Sequence, residues 1–436
     1  MPASGFRHGV HPREEKELTS GLPIRRMPFP DEIVLPLRQH AGKPATLCVQ
    51  VGDHVERGDP VGLADGFVSV PIHSSASGRV TDIGMWPHPD GSMATSVRIA
   101  VDRYAAQVPR PRMVPHWEGL STDEVVRAVQ DAGVVGLGGA AFPTHVKLAP
   151  PTDHPVHTLI INGAECEPYL TSDHRTMAEY PVRVMFGIRV MMHAMGVAKC
   201  VVGVERNKPD AIAALEGALP TDLDITILPL TVKYPQGAEK MLIKAIINRE
   251  VPPRGLPMDV GVVVQNVATA KAVYEAVRFG CPLIERVVTV GGDAVVEPKN
   301  LLVRIGMTVA DLVAECGGFK TEPGKIIMGG PMMGVAIASL NMPVTKGTSG
   351  IIALSKQSVR QGDEFGPCIR CGRCIDACPM GLIPSMLGIL AEKAFYEQTR
   401  VYYVHDCFEC GSCTYVCPSK RPMVQFIKLA KSLTKP

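Results

Sequence analysis

Eight of the thirteen cysteines fall in two compact runs. Cys368, Cys371, Cys374 and Cys378 form C-x2-C-x2-C-x3-C closed by Pro379, and Cys407, Cys410, Cys413 and Cys417 repeat it before Pro418. Such a run is a signature for a 4Fe–4S cluster, and clusters of this type carry single electrons. Three closely spaced thiolates let one backbone loop wrap a cubane. The fourth cysteine is expected to start a helix that leads away, so it reaches the other cluster. The assignment is therefore crossed. One cluster takes Cys368, Cys371, Cys374 and Cys417, and the other takes Cys407, Cys410, Cys413 and Cys378. Zinc is the alternative, but it prefers separated CxxC pairs or mixtures with histidine. Of the five other cysteines, Cys166 lies in a loop taken up next. Cys48, Cys200, Cys281 and Cys316 are expected in the core.

Four further segments could hold a ligand. Gly136-Leu137-Gly138-Gly139-Ala140-Ala141-Phe142-Pro143-Thr144 formally fits GxGxxA. A dinucleotide fingerprint needs a strand before it and a helix after it. Here the expected helix comes first, so an ordinary Rossmann reading does not apply. Small residues still let backbone N–H groups approach a phosphate or a flat ring; a plain turn is the other reading. Asn162-Gly163-Ala164-Glu165-Cys166-Glu167-Pro168 follows an expected strand, where open α/β sheets bind ligands. Its two carboxylates read equally well as solvated turn residues. Tyr234-Pro235-Gln236-Gly237-Ala238-Glu239-Lys240 leads into a helix, and Gln265-Asn266 ends a strand; helix capping explains either alone.

The elements that must position these residues follow from the pattern. Short Val-containing runs between Gly/Asp turns fill residues 1 to about 105 and predict a small β module. Its VGDxVxxGDP and SGRV stretches resemble a lipoyl/biotinyl barrel-sandwich hybrid. No lysine lies between 58 and 78, so the module is read as structural rather than as a carrier. Ser121 and Glu124 have capping-box spacing. Strands expected at 156–161, 200–204, 225–228 and 261–264 alternate with helices at 178–196, 208–218, 237–248 and 267–278. That alternation implies parallel strands with crossover helices. Strands at 286–290 and 301–305, a helix at 308–315 and a return strand at 325–331 predict a β-grasp domain. The cysteine region is mostly helical, with a helical hairpin expected over 381–400.

The 45 basic and 43 acidic residues nearly cancel, and no charge block suggests a nucleic-acid partner. Aromatic residues are only 5% of the chain, too few for base-stacking surfaces. The most apolar stretch, 182–204, contains Arg183, Arg189, His193 and Lys199 and is not expected to span a membrane. The N-terminus has no continuous apolar run of the kind a signal peptide needs.

Together, GLGGAAFPT with Lys147, NGAECEP with Asp173 and Arg175, YPQGAEK and VQNVAT resemble the FMN- and NADH-binding subunit of respiratory complex I. The order of modules resembles the RnfC family of Rnf electron-transport complexes. The resemblance implies a multidomain α/β chain. A barrel-sandwich β module (1–112) is followed by a complex-I-like FMN-binding α/β domain (113–283). A β-grasp domain (284–345) and a helical dicluster ferredoxin domain (346–436) complete it. It implies FMN bound by Gly136, Gly138, Gly139, Asn162, Glu165, Gln265 and Asn266, with Lys147 neutralising phosphate charge. Phe142 and Glu167 would bound the NADH pocket, with Tyr234, Gly237 and Glu239 on its nicotinamide side. Ala141, Ala164 and Gln265 stand where the complex I subunits usually have Gly, Asp and Asn.

The implied partners are NAD(H) and the other subunits of the complex, including an Fe–S subunit and integral membrane subunits. The implied location is peripheral, on the cytoplasmic side of the inner membrane. The alternatives are a soluble cobalamin reductase of related build, or a dicluster electron-transfer adaptor without nucleotide binding.

Overall fold

The structure, a computed structural model, describes residues 5–108, 114, 116–359 and 365–435. The expected boundary at 112/113 lies outside them.

The four apolar runs of the middle region form the strands Thr158–Gly163, Lys199–Glu205, Asp224–Leu230 and Val262–Asn266. All pair in parallel, and the strand beginning at Thr158 lies between those beginning at Lys199 and Val262. The direction of winding therefore reverses between Thr158–Gly163 and Val262–Asn266. Their register sets Asn162 beside Asn266. Beyond such a reversal, the carboxyl ends of the strands open a crevice in which parallel sheets take ligands.

Helices cover both faces. The helix expected over 178–196 is in fact two, Ser172–Glu179 and Pro181–Met195. Pro181 has no N–H to continue a helix but fits the first turn of a new one. Pro181–Met195 crosses Val267–Phe279 closely. A Cβ on Gly187 would lie 1.8 Å from the Ala270 carbonyl oxygen.

Before this domain, a four-stranded and a three-stranded antiparallel sheet build the barrel-like module, which ends with the long hairpin Gly78–Pro87 and Met93–Val101. The capping box at Ser121 and Glu124 is present. After the domain comes a six-stranded mixed sheet that reaches beyond residues 284–345. It includes Gly350–Ser355 and, at one edge, Ile24–Arg26 paired in parallel with Lys299–Arg304.

The N-terminal segment thus does not stay with the β module. It crosses the molecule as a strap. Gly9 N–H donates to Ala377 O, Val10 bridges Tyr234, and Tyr169 N–H donates to Glu14 O.

The cysteine module is an internal repeat. Arg370 and Glu409 occupy matching left-handed positions, with φ of 55° and 64°. Gly372 and Gly411 do the same at 79° and 82° before the one-turn helices Arg373–Asp376 and Ser412–Tyr415. Cys378 and Cys417 follow these helices rather than starting new ones. Each precedes a proline, which disfavours helical backbone at the residue before it. The longer helices begin only at Pro384 and Met423. The expected hairpin over 381–400 is one α-helix, Pro384–Glu392, and a 3-10 segment, Glu397–Tyr402. Of the four cysteines expected in the core, Cys200 and Cys316 are buried, Cys281 is half-buried and Cys48 is exposed on a strand flank.

Candidate cofactor crevice and cluster pockets

The crevice is assembled from five places in the chain. Gly136 N–H donates to Phe142 O, closing the glycine loop into a small hairpin. Leu137 N–H donates to Thr269 Oγ1 at 2.9 Å, which seats this loop on the first turn of Val267–Phe279. Asn266 caps that helix and also donates from Nδ2 to Asp173 Oδ2 at 2.6 Å. A Cβ on Gly138 would lie 2.8 Å from Asn266 Nδ2, so glycine is needed for this approach. Gly138, Gly139 and Ala140 are exposed. Ala141 has φ of 51°, a conformation that glycine adopts at lower cost.

Lys147 reaches into the same space. Its ammonium contacts Glu239 Oε1 at 2.7 Å and Val264 O at 3.2 Å. Asn162 Nδ2 donates to Gly237 O at 2.8 Å, tying the first strand to the Tyr234–Glu239 loop. Gln265 Nε2 is buried with no hydrogen-bond partner. A buried orphan donor, a loop of exposed small residues and a lysine together fit a flat polar ring carrying a phosphate.

The acidic loop is held rigidly. Lys16 Nζ donates to the carbonyls of Glu165, Glu167 and Leu170. Lys208 Nζ donates to Ala164 O at 2.7 Å and contacts Glu205 Oε2 at 3.2 Å. Both lysines are buried. The sequence pattern points to neither, because Lys16 lies far upstream and neither sits in a motif. They anchor Glu165 in its left-handed conformation, φ 48°.

Three more of the expected site residues also have protein partners. The Glu165 carboxylate accepts from Asp173 N and His174 N and so caps Ser172–Glu179. Glu167 accepts from Met332 N and Met333 N at 3.0 and 2.8 Å. Burial pushes its carboxyl up to about 7. Burial, with the Glu165 charge beside it, also raises Asp173 to about 7. Tyr234 is buried and donates from its hydroxyl to Cys410 O at 2.6 Å.

Four of the thiols share one pocket. Cys378, Cys407, Cys410 and Cys413 line one pocket together with Leu382, Leu387 and Ile427. Cys374 and Cys413 pack with Met423, flanked by Cys417. Cys371 is exposed. Among the described residues, no three Cys, His, Asp or Glu side chains stand close enough to hold a single ion. Four thiols lining one pocket match the ligand number of a 4Fe–4S cubane.

Four family models match in order along the chain. They are the RnfC barrel sandwich hybrid domain at 4–104, the Nuo51 FMN-binding domain at 129–275, the SLBB domain at 287–336 and a 4Fe-4S dicluster domain at 367–421. The C subunit of a proton-translocating ferredoxin:NAD(+) oxidoreductase complex from Clostridium ljungdahlii is 50% identical over 98% of this chain and 93% of its own. The chain belongs to the RnfC family. An Acetobacterium woodii member, named for Na(+) translocation, is 44% identical over 98% of this chain and 96% of its own. A Rhodobacter capsulatus member, named for an ion-translocating oxidoreductase complex, is 43% identical over 99% of this chain and 83% of its own. Among solved structures, an NAD+-reducing [NiFe]-hydrogenase in the H2-reduced state shares the fold, with TM-score 0.51 and 20% identity over 73% of this chain and 64% of that one. Family membership brings FMN and two 4Fe–4S clusters as cofactors. No helix among the described residues is long and apolar enough to cross a membrane.

Proposed function

We propose that this RnfC-family chain passes electrons between NAD(H), FMN and two 4Fe–4S clusters. It does so as a peripheral subunit of an ion-translocating NAD:ferredoxin oxidoreductase. It docks on integral membrane subunits at the cytoplasmic face and exchanges electrons with an Fe–S subunit. One observation carries the reading. The loop Tyr234–Glu239 spans from the sheet's switch-point crevice to the backbone of a cluster cysteine.

FMN, when bound, supplies the exchange between a two-electron hydride and single electrons. The chain's residues position it. Gly138 and Gly139 offer backbone N–H groups to its phosphate side, Gly136 shapes that loop through its own bond to Phe142 O, and Lys147 offsets charge there. Asn162, Gln265 and Asn266 hold the ring, and Gln265 gains the partner its buried amide lacks. Phe142, Gly237 and Glu239 bound the nucleotide side. Glu165, Glu167 and Tyr234 act from behind, by fixing the loops that form the pocket wall. The crossed cysteine assignment is part of the proposal, with Cys378 serving the cluster of Cys407, Cys410 and Cys413, and Cys417 that of Cys368, Cys371 and Cys374; the pocket shared by Cys378, Cys407, Cys410 and Cys413 supports the first of these sets. Close relatives that are subunits of ion-translocating complexes favour this reading over a soluble cobalamin reductase.

The anaerobic absorption spectrum tests it. NADH is expected to bleach both the flavin band and the broad Fe–S shoulder of the purified chain. A spectrum unmoved by NADH but bleached by dithionite would refute the NADH step and return the adaptor reading.

A further inference from the structure

The glycine hairpin has its back against two buried cations. Arg286, in the strand Glu285–Gly291 of the mixed sheet, donates to Leu137 O at 3.3 Å, to Lys346 O and to Val287 O. The Lys346 ammonium donates to Gly133 O and Pro71 O. Gly347 closes the same wall, where a Cβ would lie 3.6 Å from Ala141 Cβ and 3.8 Å from Gly139 O. Arg286 is 4% exposed and Lys346 1%, yet every partner named here is a carbonyl oxygen. Asp173 acts on Arg286 from beyond hydrogen-bond distance. Burial and the Glu165 charge raise that carboxyl to about 7, so it is an incomplete counter-ion. Lys147, on the open side of the loop, is already paired with Glu239. A buried cation without a close carboxylate is costly, and an anion bound nearby would offset the cost.

The peptide between Leu137 and Gly138 links this charge to the crevice. It is trans, so its C=O and its N–H point in opposite directions. Arg286 holds the carbonyl from behind. The Gly138 N–H therefore lies on the other side, and Gly138 is exposed. A cation on the carbonyl also polarises the peptide and strengthens its N–H as a donor. The bond from Leu137 N–H to Thr269 Oγ1 fixes the preceding peptide, so this one is held at both ends.

We propose that Arg286 is the positioning residue by which this chain selects a flavin bearing a phosphomonoester over the same flavin without one, an inference that rests on the functional reading above. Arg286 belongs to the mixed sheet, outside the four loop motifs. It acts through a peptide and not by contact. It aims the Gly138 N–H into the crevice and lends that donor a positive charge that no close carboxylate cancels. The residues assigned to the ring, Asn162, Gln265 and Asn266, lie on other elements, so the charge of Arg286 bears on the phosphate and not on the ring. A residue that merely cemented the mixed sheet to the glycine hairpin would affect both flavins alike.

Equilibrium titration of the full, flavin-free chain with FMN and with riboflavin, followed by quenching of flavin fluorescence, tests the proposal without any turnover. The unaltered chain is expected to prefer FMN. Arg286→Gln keeps an amide donor for Leu137 O and removes the charge. It is expected to weaken FMN binding by roughly tenfold or more, the range of a charge-assisted hydrogen bond, and to leave riboflavin binding unchanged. Equal weakening of both flavins, or an unchanged ratio between them, would overturn the proposal. Should Arg286→Gln fail to fold, Arg286→Lys takes its place: it keeps the charge and must keep a preference for FMN, and a preference lost with the charge in place would overturn the proposal too. An unaltered chain that binds FMN and riboflavin equally well would overturn this inference alone, whereas one that binds neither flavin would sink the functional reading and this inference with it.

Discussion

Replacing Gly187 by alanine sets two effects against each other. Intrinsic helix propensity favours alanine by ~1 kcal/mol. Packing opposes it. The new Cβ would lie 1.8 Å from the Ala270 carbonyl oxygen, where side-chain carbons essentially never approach within 3.0 Å. The helices Pro181–Met195 and Val267–Phe279 must separate by about 1.2 Å, the gap between those two distances. Overpacking of a tight core costs roughly 1–3 kcal/mol and sometimes more. A separation this large puts the cost toward the upper end of that range, so sterics exceed propensity and the net change is a loss of up to about 2 kcal/mol. For a unit of this size the Tm falls by about 2–4 °C per kcal/mol.

The displacement also reaches the crevice, because Ala270 lies about one turn beyond the cap Asn266. FMN affinity is expected to drop about tenfold for each 1.4 kcal/mol of lost ring contacts. Thermal melting and FMN titration of the purified chain measure both effects. Gly217→Ala is the control, since nothing lies within 4 Å of a Cβ there. A Tm that rises for Gly187→Ala as it does for Gly217→Ala would refute the packing argument. A lower Tm with unchanged FMN affinity would sever the link from helix to crevice.

Two other outcomes are expected. Lys346 is buried, its ammonium donates to Pro71 O and Gly133 O, and burial lowers its pKa from 10.5 to about 7. A depressed lysine pKa means that the unfolded chain binds more protons between pH 7 and 10.5, so the folded state gains stability as pH rises through that window. The stability of the chain relative to Lys346→Met, from denaturant unfolding, should therefore climb by roughly 2.7 kcal/mol between about pH 7.5 and 9.5; parallel curves would show that the carbonyls keep the ammonium charged. Cys378→Ser should disturb the EPR signal of the cluster otherwise held by Cys407, Cys410 and Cys413, and loss of the other signal alone would overturn the crossed assignment.

Local signals carried much of this molecule into view from its sequence. The two cysteine runs and the four loop motifs are contiguous, and the apolar runs of the parallel sheet are too. Each expected strand there lies within two residues of the one formed. What stayed hidden depends on partners distant in sequence. Lys16 looks like one more charged residue in a polar stretch until its carbonyl partners at Glu165, Glu167 and Leu170 come together. Tyr234 belongs to a motif that points to a nucleotide, yet its hydroxyl turns to Cys410 in another module. The break at Pro181 was locally readable, but an apolar stripe running past the proline masked it. The turn at Cys378-Pro379 was readable in the same way, and the spacing of the thiols drew attention from it.

The strap has a consequence for how the chain is made. Ile24–Arg26 can pair only with Lys299–Arg304, so an early-synthesised strand must wait for residues about 280 positions later. At ~5–20 residues per second, that delay is roughly 15–60 s on the ribosome. Throughout it the segment is an unpaired strand edge, the kind of surface that invites association between nascent chains. Two of its three residues are Arg25 and Arg26. Their charges, both exposed in the finished sheet, make the waiting strand a poor template for a neighbour. The N-terminal strap can complete its contacts with the crevice loops, the cysteine module and the mixed sheet only once all three exist.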